Sequence, residues 1–331
     1  MTVIPTIDLP TADTITATDA AASNLAAPNL GAPNLAAPGP LLALDAPLVR
    51  ESFNRQPFGF THRLCELDIF DLANLRALAS RYVGHERDYF VTAGAAAPGQ
   101  VFRSVSGPGL GVVEAIDQLE RRSVRVLLKR PENYDPRFGR LVDELFNEVL
   151  KTLGGLGDDK ILRLESSIFL TSSATVTPFH FDPSVGFFSQ VRGRKLYHVY
   201  PPAELAEPEL EQFYFRGLID IGQVDLTRRQ ASNEHVFNLT PGRGFHQPQN
   251  APHWVETGED VSISYTFVFE TRSNRRLGRT RGFNHYLRRA GVVPAAPGVH
   301  PHVDRLKAGT LSAWVPCRKA LSRIKATARG H

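Results

Sequence analysis

Two kinds of hydrophobic pattern divide the chain near residue 160. Before it, three stretches show apolar residues at three- and four-residue spacing, which predicts amphipathic helices over 71–82, 109–122 and 136–153. After it, short apolar or alternating runs are separated by Pro, Gly and Asn turns, which is typical of an antiparallel barrel or sandwich. From residue 283 onward the pattern again predicts helix, in short pieces interrupted by prolines. The predicted strands are 161–171, 175–182, 187–191, 195–200, 236–239 and 261–269.

The first 47 residues lack any such pattern. They are rich in Ala, Thr and Pro and repeat the pentad Asn-Leu-Ala/Gly-Ala-Pro from Asn24, Asn29 and Asn34. A proline at every fifth position blocks helix propagation, and these small side chains cannot form a core, so we expect a disordered leader. The predicted organisation is a leader over 1–47, a helical or mixed region over 48–159 that packs on the barrel, a barrel core over 160–270 and a basic helical region over 271–331.

Composition narrows the class of protein. The 331 residues are 42% hydrophobic, which is enough to bury a core, but no apolar run approaches the roughly 20 residues of a membrane span. The N-terminal residues do not resemble a secretory signal, and Cys65 and Cys317 are too few for a disulfide framework. We therefore expect a cytoplasmic protein without membrane contact.

Positive charge is concentrated towards the C-terminal end. Residues 271–331 contain fourteen Lys or Arg and one acid, Asp304, a local balance of +13 in a chain of net charge +4. One interpretation is a pair of solvated helices that dock on the barrel or form a dimer. The other is an electrostatic contact for a polyanion such as RNA, the ribosome or an acidic protein. No nucleic-acid motif accompanies the charge, so both interpretations stay open.

The stretch Thr175-Val-Thr-Pro-Phe-His180-Phe-Asp182-Pro carries the first candidate chemistry. Residues two apart on a strand point to the same face, so we expect His180 and Asp182 to project into the barrel together. One imidazole and one carboxylate are two thirds of the facial triad that binds non-haem Fe(II).

The third ligand is expected from a later strand. The stretch from Gly242 to His253 has a turn glycine, then Pro248, then a terminal histidine, and it resembles the second cupin motif. In that motif the terminal histidine completes the metal site, which points to His253. The rival is His246, which we interpret as a partly exposed loop histidine.

Fe(II) needs a co-substrate that supplies electrons to dioxygen, and 2-oxoglutarate does so by chelating the metal through its 2-oxo acid end. Its distal carboxylate requires a cation inside the barrel, for which Lys195 is the candidate. Alternation places Lys195 on one strand face with Tyr197 and Val199, and His198 on the other. A strand lysine usually faces solvent, and an inward one is costly unless it pairs with an anion, here the co-substrate.

The last predicted strand has a face of short hydroxyls, Ser262, Ser264 and Thr266. Inside a barrel such side chains leave room for a ligand and can hydrogen-bond a carboxylate, whereas on an outer strand the same face is wet. Phe188 also has two interpretations, because it could pack beside the co-substrate or simply form core.

Three segments together resemble the jumonji-C hydroxylases: Thr177-Pro-Phe-His180-Phe-Asp182, Phe187-Phe-Ser-Gln190-Val-Arg-Gly193-Arg-Lys195 and Tyr200-Pro-Pro. They are most similar to the asparaginyl hydroxylases of the factor-inhibiting type and their bacterial cupin-like relatives. The resemblance implies a mainly β fold with flanking helices, a double-stranded β-helix (cupin or jelly-roll) barrel with an N-terminal helical region and C-terminal helices. It also implies Fe(II) held by His180, Asp182 and His253, with O2 and 2-oxoglutarate as co-substrates. Lys195 would bind the distal carboxylate with help from Thr177.

The resemblance leaves the substrate open. This chain has Gly186 and Thr266 where the asparaginyl hydroxylase has asparagines, and both positions touch the co-substrate or substrate pocket. We expect hydroxylation of a protein or peptide side chain. The alternatives are hydroxylation of a small molecule, a non-catalytic cupin that binds a ligand or regulates, and a zinc or manganese cupin. Relatives of this type often dimerise through C-terminal helices, so a homodimer is expected.

Overall fold

The computed structural model describes residues 39–93, 97–100, 109–215, 222–223 and 225–313. The proline repeat of the leader and the basic segment after residue 313 lie outside these ranges. Within them, no helix combines the length and the apolar character needed to cross a membrane. The helices are α1 (Ala46–Ser52), α2 (Leu72–Ser80), α3 (Val112–Asp117), α4 (Pro136–Leu153), α5 (Glu207–Phe215), α6 (Arg272–Arg289) and α7 (301–313).

The strands form two antiparallel sheets, an eight-stranded major sheet in the order β1-β2-β11-β7-β13-β5-β4-β3 and a five-stranded minor sheet in the order β10-β8-β12-β6-β9. The strands are β1 (Leu42–Ala43), β2 (Phe58–His62), β3 (Tyr89–Ala93), β4 (Val124–Lys129), β5 (Ile161–Thr171), β6 (Val176–Phe181), β7 (Val185–Arg192), β8 (Lys195–Val199), β9 (Gly222–Gln223), β10 (His235–Leu239), β11 (Arg243–Gln247), β12 (Pro252–Thr257) and β13 (Ser262–Thr271).

From β5 onward the chain crosses repeatedly between the two sheets. β5, β7, β11 and β13 lie side by side in the major sheet, and β6, β8, β9, β10 and β12 lie in the minor sheet, where β8, β9 and β10 follow one another along the chain. This arrangement is the topology of a double-stranded β-helix. The sheets face each other across a small apolar cluster that includes Phe188 and Phe245 from the major sheet and Tyr197, Val199 and Val255 from the minor sheet. The predicted mainly β fold with flanking helices is confirmed.

The other face of the major sheet packs on the N-terminal helices. Helix α4 begins where the Asp135 carboxylate accepts a hydrogen bond from the Arg137 N–H, has Pro136 in its first turn, and ends at Gly154 with φ of 81°. Its apolar stripe, Leu141, Leu145 and Val149, is fully buried against the sheet. Burial of three such side chains contributes several kcal/mol of hydrophobic free energy, on the order of 2 kcal/mol each.

The region before residue 160 also supplies strands, which the helical periodicity did not reveal. β2 pairs with β11 at one side of the barrel strands, and β4 pairs with β5 at the other. The folded part begins before the predicted leader boundary at residue 47, since Leu41 and Leu42 are buried and β1 pairs with β2. These strands are short and lie beside helices, so their alternation is a weak signal.

Helix α6 begins at Arg272, eleven residues before the predicted helical start at 283. Its sequence has no apolar stripe because its packing side uses small and polar residues, among them Gly278 and Gly282. A Cβ atom at Gly278 would lie 2.6 Å from the Tyr214 ring, and one at Gly282 would lie 2.9 Å from the Tyr214 carbonyl oxygen. Close approach of α6 to α5 therefore depends on glycine, and hydrophobic periodicity cannot show it.

Candidate metal centre

His180, Asp182 and His253 form one cluster, in which a ligand atom from each lies within 4.8 Å of the others. His253 on β12 is the register partner of His180 on β6, and the two ring centroids are 4.1 Å apart. The His253 Nε2 atom is 3.7 Å from Asp182 Oδ2. Both histidines are buried, whereas the Asp182 side chain is 33% exposed. The structure thus brings together the three residues predicted to bind a metal, in a cluster open on the aspartate side.

The two histidines are oriented in the same way. The Nδ1 atom of His180 is 2.7 Å from the Pro178 carbonyl oxygen, and that of His253 is 3.0 Å from the Ala251 carbonyl oxygen. A carbonyl oxygen only accepts, so each Nδ1 carries the proton and each Nε2 carries a lone pair. Burial, and secondarily the neighbouring His180, lower the pKa of His253. A neutral imidazole with this tautomer is the form that binds a metal ion.

The Asp182 carboxylate is held by Gln247, a residue that sequence reasoning missed. The Gln247 side-chain amide donates to Asp182 Oδ2 at 3.2 Å, and its oxygen accepts from the Tyr197 hydroxyl at 3.0 Å. The backbone carbonyl of Asp182 accepts from the Asn250 N–H at 2.8 Å. Gln247 lies on β11, a strand not predicted because 242–252 is rich in Gly, Pro, Gln and Asn, so no sequence signal identified its orientation.

A β-bulge in β6 determines where Thr177 points. His253 and Val255, two apart on β12, pair with His180 and Thr177, three apart on β6, so β6 contains one extra residue between them. Simple alternation would turn Thr177 away from the face that carries His180. The bulge restores it to that face, opposite Val255 of the apolar inter-sheet cluster. Thr177 therefore lies on the inner face of the minor sheet, as its predicted role requires.

Lys195 lies between the sheets and is 5% exposed. Its amine is 5.5 Å from the Phe188 ring centroid and 5.7 Å from the Phe169 ring centroid. No carboxylate among the residues that the structure describes forms an ion pair with it. Burial, and secondarily the Arg125 guanidinium, lower the pKa of Lys195 to about 7. Lys195 thus points inward, as expected. Burying its positive charge costs free energy, and a bound anion would offset this cost.

Arg125 is a second cation near this space, and the sequence did not single it out. Its β4 neighbours Val124 and Val126 pack in the helix-side core, so alternation directs Arg125 to the inter-sheet side. Its guanidinium donates to the Val176 carbonyl oxygen at 3.2 Å, and burial lowers its pKa to about 10. An arginine in an alternating strand is usually solvent-facing, so only the position of β4 beside β5 reveals its location.

The hydroxyl face of β13 is turned inward. Ser262 and Ser264 are fully buried, and both hydrogen-bond to the Gln190 side chain at 2.8 Å. The Thr266 hydroxyl donates to the Phe187 carbonyl oxygen at 3.1 Å, on the strand pair where Thr266 stands opposite Phe188. The interpretation of this face as solvent-exposed is therefore wrong for Ser262 and Ser264. Contact of Phe188 or Thr266 with a co-substrate stays a prediction.

His246 differs from its prediction as an exposed loop residue, because it is fully buried on β11. Its Nε2 accepts from the Asn54 N–H at 2.9 Å, and its Nδ1 donates to the Gly186 carbonyl oxygen at 3.0 Å. The ring packs 4.7 Å from Phe58, centroid to centroid, on the helix side of the sheet. Burial lowers its pKa to about 3. Both ring nitrogens are bound to backbone, so His246 has no lone pair to offer a metal.

Comparison with known proteins gives partial likenesses. No protein-family model matches the chain. It is 28% identical over 109 residues to HSPB1-associated protein 1 of Rattus norvegicus, a stretch covering 30% of this chain and 23% of that protein. It is 26% identical over 121 residues to HSPB1-associated protein 1 of Bos taurus, covering 34% of this chain and 25% of that protein. The matched stretches thus span about a quarter of the length of these relatives.

Among solved structures, ycfD of E. coli is similar with 19% identity and a TM-score of 0.46, covering 83% of this chain and 68% of that chain. YcfD, a ribosomal oxygenase from Escherichia coli in complex with cobalt and 2-oxoglutarate, is similar with 20% identity and a TM-score of 0.45, covering 83% and 67%. A place for this chain within the asparaginyl-hydroxylase branch stays a prediction.

Proposed function

We propose that this protein is an Fe(II)- and 2-oxoglutarate-dependent dioxygenase that hydroxylates a side chain of a protein or peptide. The observation that carries the proposal is the pairing of the His180, Asp182 and His253 cluster with a buried lysine that has no acidic partner among the described residues. The three ligands alone would suit zinc or manganese as well. The buried ammonium of Lys195 is what favours a co-substrate with a carboxylate at its far end.

The donor set fits the proposed metal. Two neutral imidazoles and one carboxylate on one side of an ion are the ligands of non-haem Fe(II) oxygenases, and they leave positions open for co-substrate and dioxygen. The bound Fe(II), with 2-oxoglutarate as electron source, would supply the oxygen activation that no side chain of the protein can supply. His180, Asp182 and His253 would hold the ion, and Gln247 would keep the Asp182 carboxylate turned toward it.

The protein's own residues would bind and orient the co-substrate. The Tyr197 ring connects the two ends of the site, since its centroid lies 5.2 Å from that of His253 and 5.0 Å from that of Phe188. Val199 is the register partner of His253, and Lys195 lies four residues before Val199, or about 13 Å along the strand. Lys195 is therefore on the far side of Phe188 from the metal ligands. There its amine would bind the distal carboxylate, with the Thr177 hydroxyl as a donor on the same face. The Phe188 and Phe169 rings exclude water, which strengthens the ion pair.

The opening of the site supports a substrate carried on a polypeptide. His180 and His253 are 6% and 2% exposed, whereas the Asp182 side chain is 33% exposed. The cluster is therefore more accessible on its Asp182 side than on the side of the two histidines. A side chain that projects from a peptide could approach the cluster from that side while its backbone stays outside.

Succinate formation tests the proposed chemistry. Purified wild-type protein is incubated with Fe(II), 2-oxoglutarate, ascorbate and oxygen beside Asp182→Ala and Lys195→Ala, with the exposed Lys160→Ala as a charge-matched control. We expect succinate from the wild type and the control and none from the two site variants. If the wild type makes no succinate, anaerobic binding of 2-oxoglutarate decides: binding indicates an oxygenase that needs its substrate, and no binding contradicts the role of Lys195.

Product mass spectrometry tests the substrate class. The loaded protein is incubated separately with a peptide library and with a metabolite library, and products heavier by one oxygen are sought. We expect such products among the peptides, absent with Asp182→Ala. Oxygenated metabolites without any oxygenated peptide would contradict the protein-side-chain assignment and leave the oxygenase chemistry intact.

A further inference from the structure

The arginines of α6 divide into two groups with different partners. In the C-terminal half, Arg281 binds Glu207 through two hydrogen bonds of 3.0 and 2.8 Å, and Arg288 binds Glu211 through two of 2.7 and 3.0 Å. These pairs fasten α6 to α5. In the N-terminal half, four arginines instead line a cavity of about 330 Å³, which Leu162 and the α7 residues Ala308, Gly309 and Ser312 complete. The four are Arg272, Arg275, Arg276 and Arg279.

Positive charge in this cavity exceeds negative charge. Arg275 binds the Glu270 carboxylate at 2.5 Å, and Arg276 donates to the Ser273 hydroxyl at 3.4 Å. Among the residues that the structure describes, no carboxylate forms an ion pair with the remaining three arginines. The Asp159 carboxylate at the start of α6 accepts from the Ser273 N–H at 3.0 Å and thus caps the helix.

This arrangement of arginines is electrostatically unfavourable for helix α6 in two respects. The cavity arginines recur at three- and four-residue spacing, so they share one face of α6 and repel one another. Three of them, Arg272, Arg275 and Arg276, also lie in the first two turns, at the end of the helix where its dipole favours acids, and the first turn of α6 contains no acid. Burial, and secondarily the Arg275 guanidinium, lower the pKa of Arg279. A cluster of positive charges that persists despite mutual repulsion and an unfavourable helix dipole is typical of a site that binds an anion.

We propose that this cavity between α6 and α7 is a binding site for a phosphate-bearing ligand. Guanidinium groups match phosphate oxygens with two parallel hydrogen bonds each, and several converging on one cavity suit a group with multiple anionic oxygens better than a single carboxylate. A cavity of about 330 Å³ is at the small end for organic ligands and accommodates one or two linked phosphates. None of its lining residues belongs to the metal centre or to the surroundings of Lys195.

Calorimetric titration of the full chain with pyrophosphate tests the site. We expect the wild type to bind and Arg276→Ala/Arg279→Ala to bind at least about tenfold more weakly. Arg289→Ala removes one positive charge from an exposed position on the same helix and should change the affinity by less than about twofold, well below half of the loss expected for the two cavity arginines on a logarithmic scale. Arg276→Lys/Arg279→Lys keeps the charge without the planar fork, and we expect an intermediate loss; it also carries the test if the alanine variant fails to fold.

Two further probes identify the source of the phosphate. Fluorescence anisotropy with a short single-stranded RNA would indicate backbone phosphates as the ligand if RNA binds more tightly than pyrophosphate and loses affinity in the alanine variant. A small phosphorylated molecule is indicated if only pyrophosphate binding depends on the two arginines. Equal losses in Arg289→Ala and the cavity variant, absence of pyrophosphate binding, or tighter binding of a poly-glutamate peptide would each overturn the proposal.

Discussion

The two faces of the major sheet bury residues of different character. The helix-side face packs Tyr265, Phe267 and Phe269 against α4 and its neighbours in a large apolar core. The inter-sheet face carries Gln190, Gln247 and the hydroxyls of β13, and Lys195 of the minor sheet lies opposite this face. The residues named on both faces are buried, so burial alone does not distinguish a structural core from a site. The inter-sheet side differs because Lys195 forms no ion pair with a carboxylate among the described residues and because His253 directs Nε2 toward Asp182.

Two histidines show this difference most directly. His246 and His253 are seven residues apart, both are at most 2% exposed, and both are kept neutral by burial. Both ring nitrogens of His246 form hydrogen bonds with backbone groups. In His253, Nδ1 bonds to a backbone carbonyl and Nε2 points toward Asp182. The second nitrogen, and not burial or pKa, separates a histidine that holds the fold from one that can hold a metal.

The largest effect is expected at His253. His253→Ala removes one of three ligands, so metal affinity should fall by more than about 100-fold, beyond the loss that follows removal of a supporting residue. Anaerobic titration with Co(II), followed by visible absorption, measures it. His246→Ala is the matched control and should retain wild-type affinity in its folded fraction. Unchanged cobalt binding by His253→Ala would contradict the assignment.

His246→Ala should instead destabilise the fold, by about 2–4 kcal/mol. It leaves the Asn54 N–H and the Gly186 carbonyl oxygen buried without partners and removes the ring that packs on Phe58. Urea unfolding with metal chelated measures the change. A loss below about 0.5 kcal/mol would show that water enters and replaces the ring, and the structural role would then be wrong.

Acidification should weaken the same core. The pKa of His246 is lowered to about 3 in the folded protein, against about 6.5 when unfolded, so the unfolded chain binds more protons between these values. The contribution of His246 to stability is present above pH 6.5 and is lost as pH falls toward 3. His62, whose pKa burial lowers to about 4, acts in the same direction. Unfolding free energies at pH 7 and pH 5 should therefore differ less in His246→Phe than in wild type.

Lys195 should give the same sign of pH dependence in a window at higher pH, because burial again disfavours the protonated form. Its pKa of about 7 in the ligand-free fold lies below the unfolded value of about 10.4, so stability should rise with pH across that window. Lys195→Met should abolish this rise and stabilise the ligand-free protein at pH 7 and below by about 1–3 kcal/mol. The same variant should bind 2-oxoglutarate at least about tenfold more weakly. A variant that loses stability at pH 7 would show that Lys195 is already paired.

The smallest effect is expected at Gln247. Gln247→Leu frees the Asp182 carboxylate to turn away, so metal affinity should fall by about tenfold. The variant also leaves the Tyr197 hydroxyl buried without its acceptor. Combining it with Tyr197→Phe should restore stability but not metal affinity, which separates the positioning role from packing. Recovery of metal binding in the double variant would refute the positioning role.

The sequence predicted the parts of this protein that depend on local pattern. α4 has the predicted bounds because a cap, a proline and clean periodicity coincide there, and β5 also has its predicted bounds. His180 and Asp182 follow from strand alternation. The inward orientation of Thr177 depends on a bulge, and the burial of His246 depends on Asn54, a residue nearly two hundred positions away. Contacts of that range leave no periodic trace. Strand β11 was missed because residues 242–252 are rich in Gly, Pro, Gln and Asn, and the bounds of β12 were not predicted although His253 was expected on a later strand.

The extra residue in β6 affects both the tautomer of His180 and the orientation of Thr177. The Pro178 carbonyl oxygen within the bulge fixes the tautomer of His180, and the added residue turns Thr177 inward. If the bulge were lost at unchanged strand length, Thr177 would turn to the outer face, whereas deleting one residue between Thr177 and His180 would leave them two apart and on one face by simple alternation. We therefore expect relatives that keep the chemistry to separate these two positions either by three residues with a bulge or by two without one.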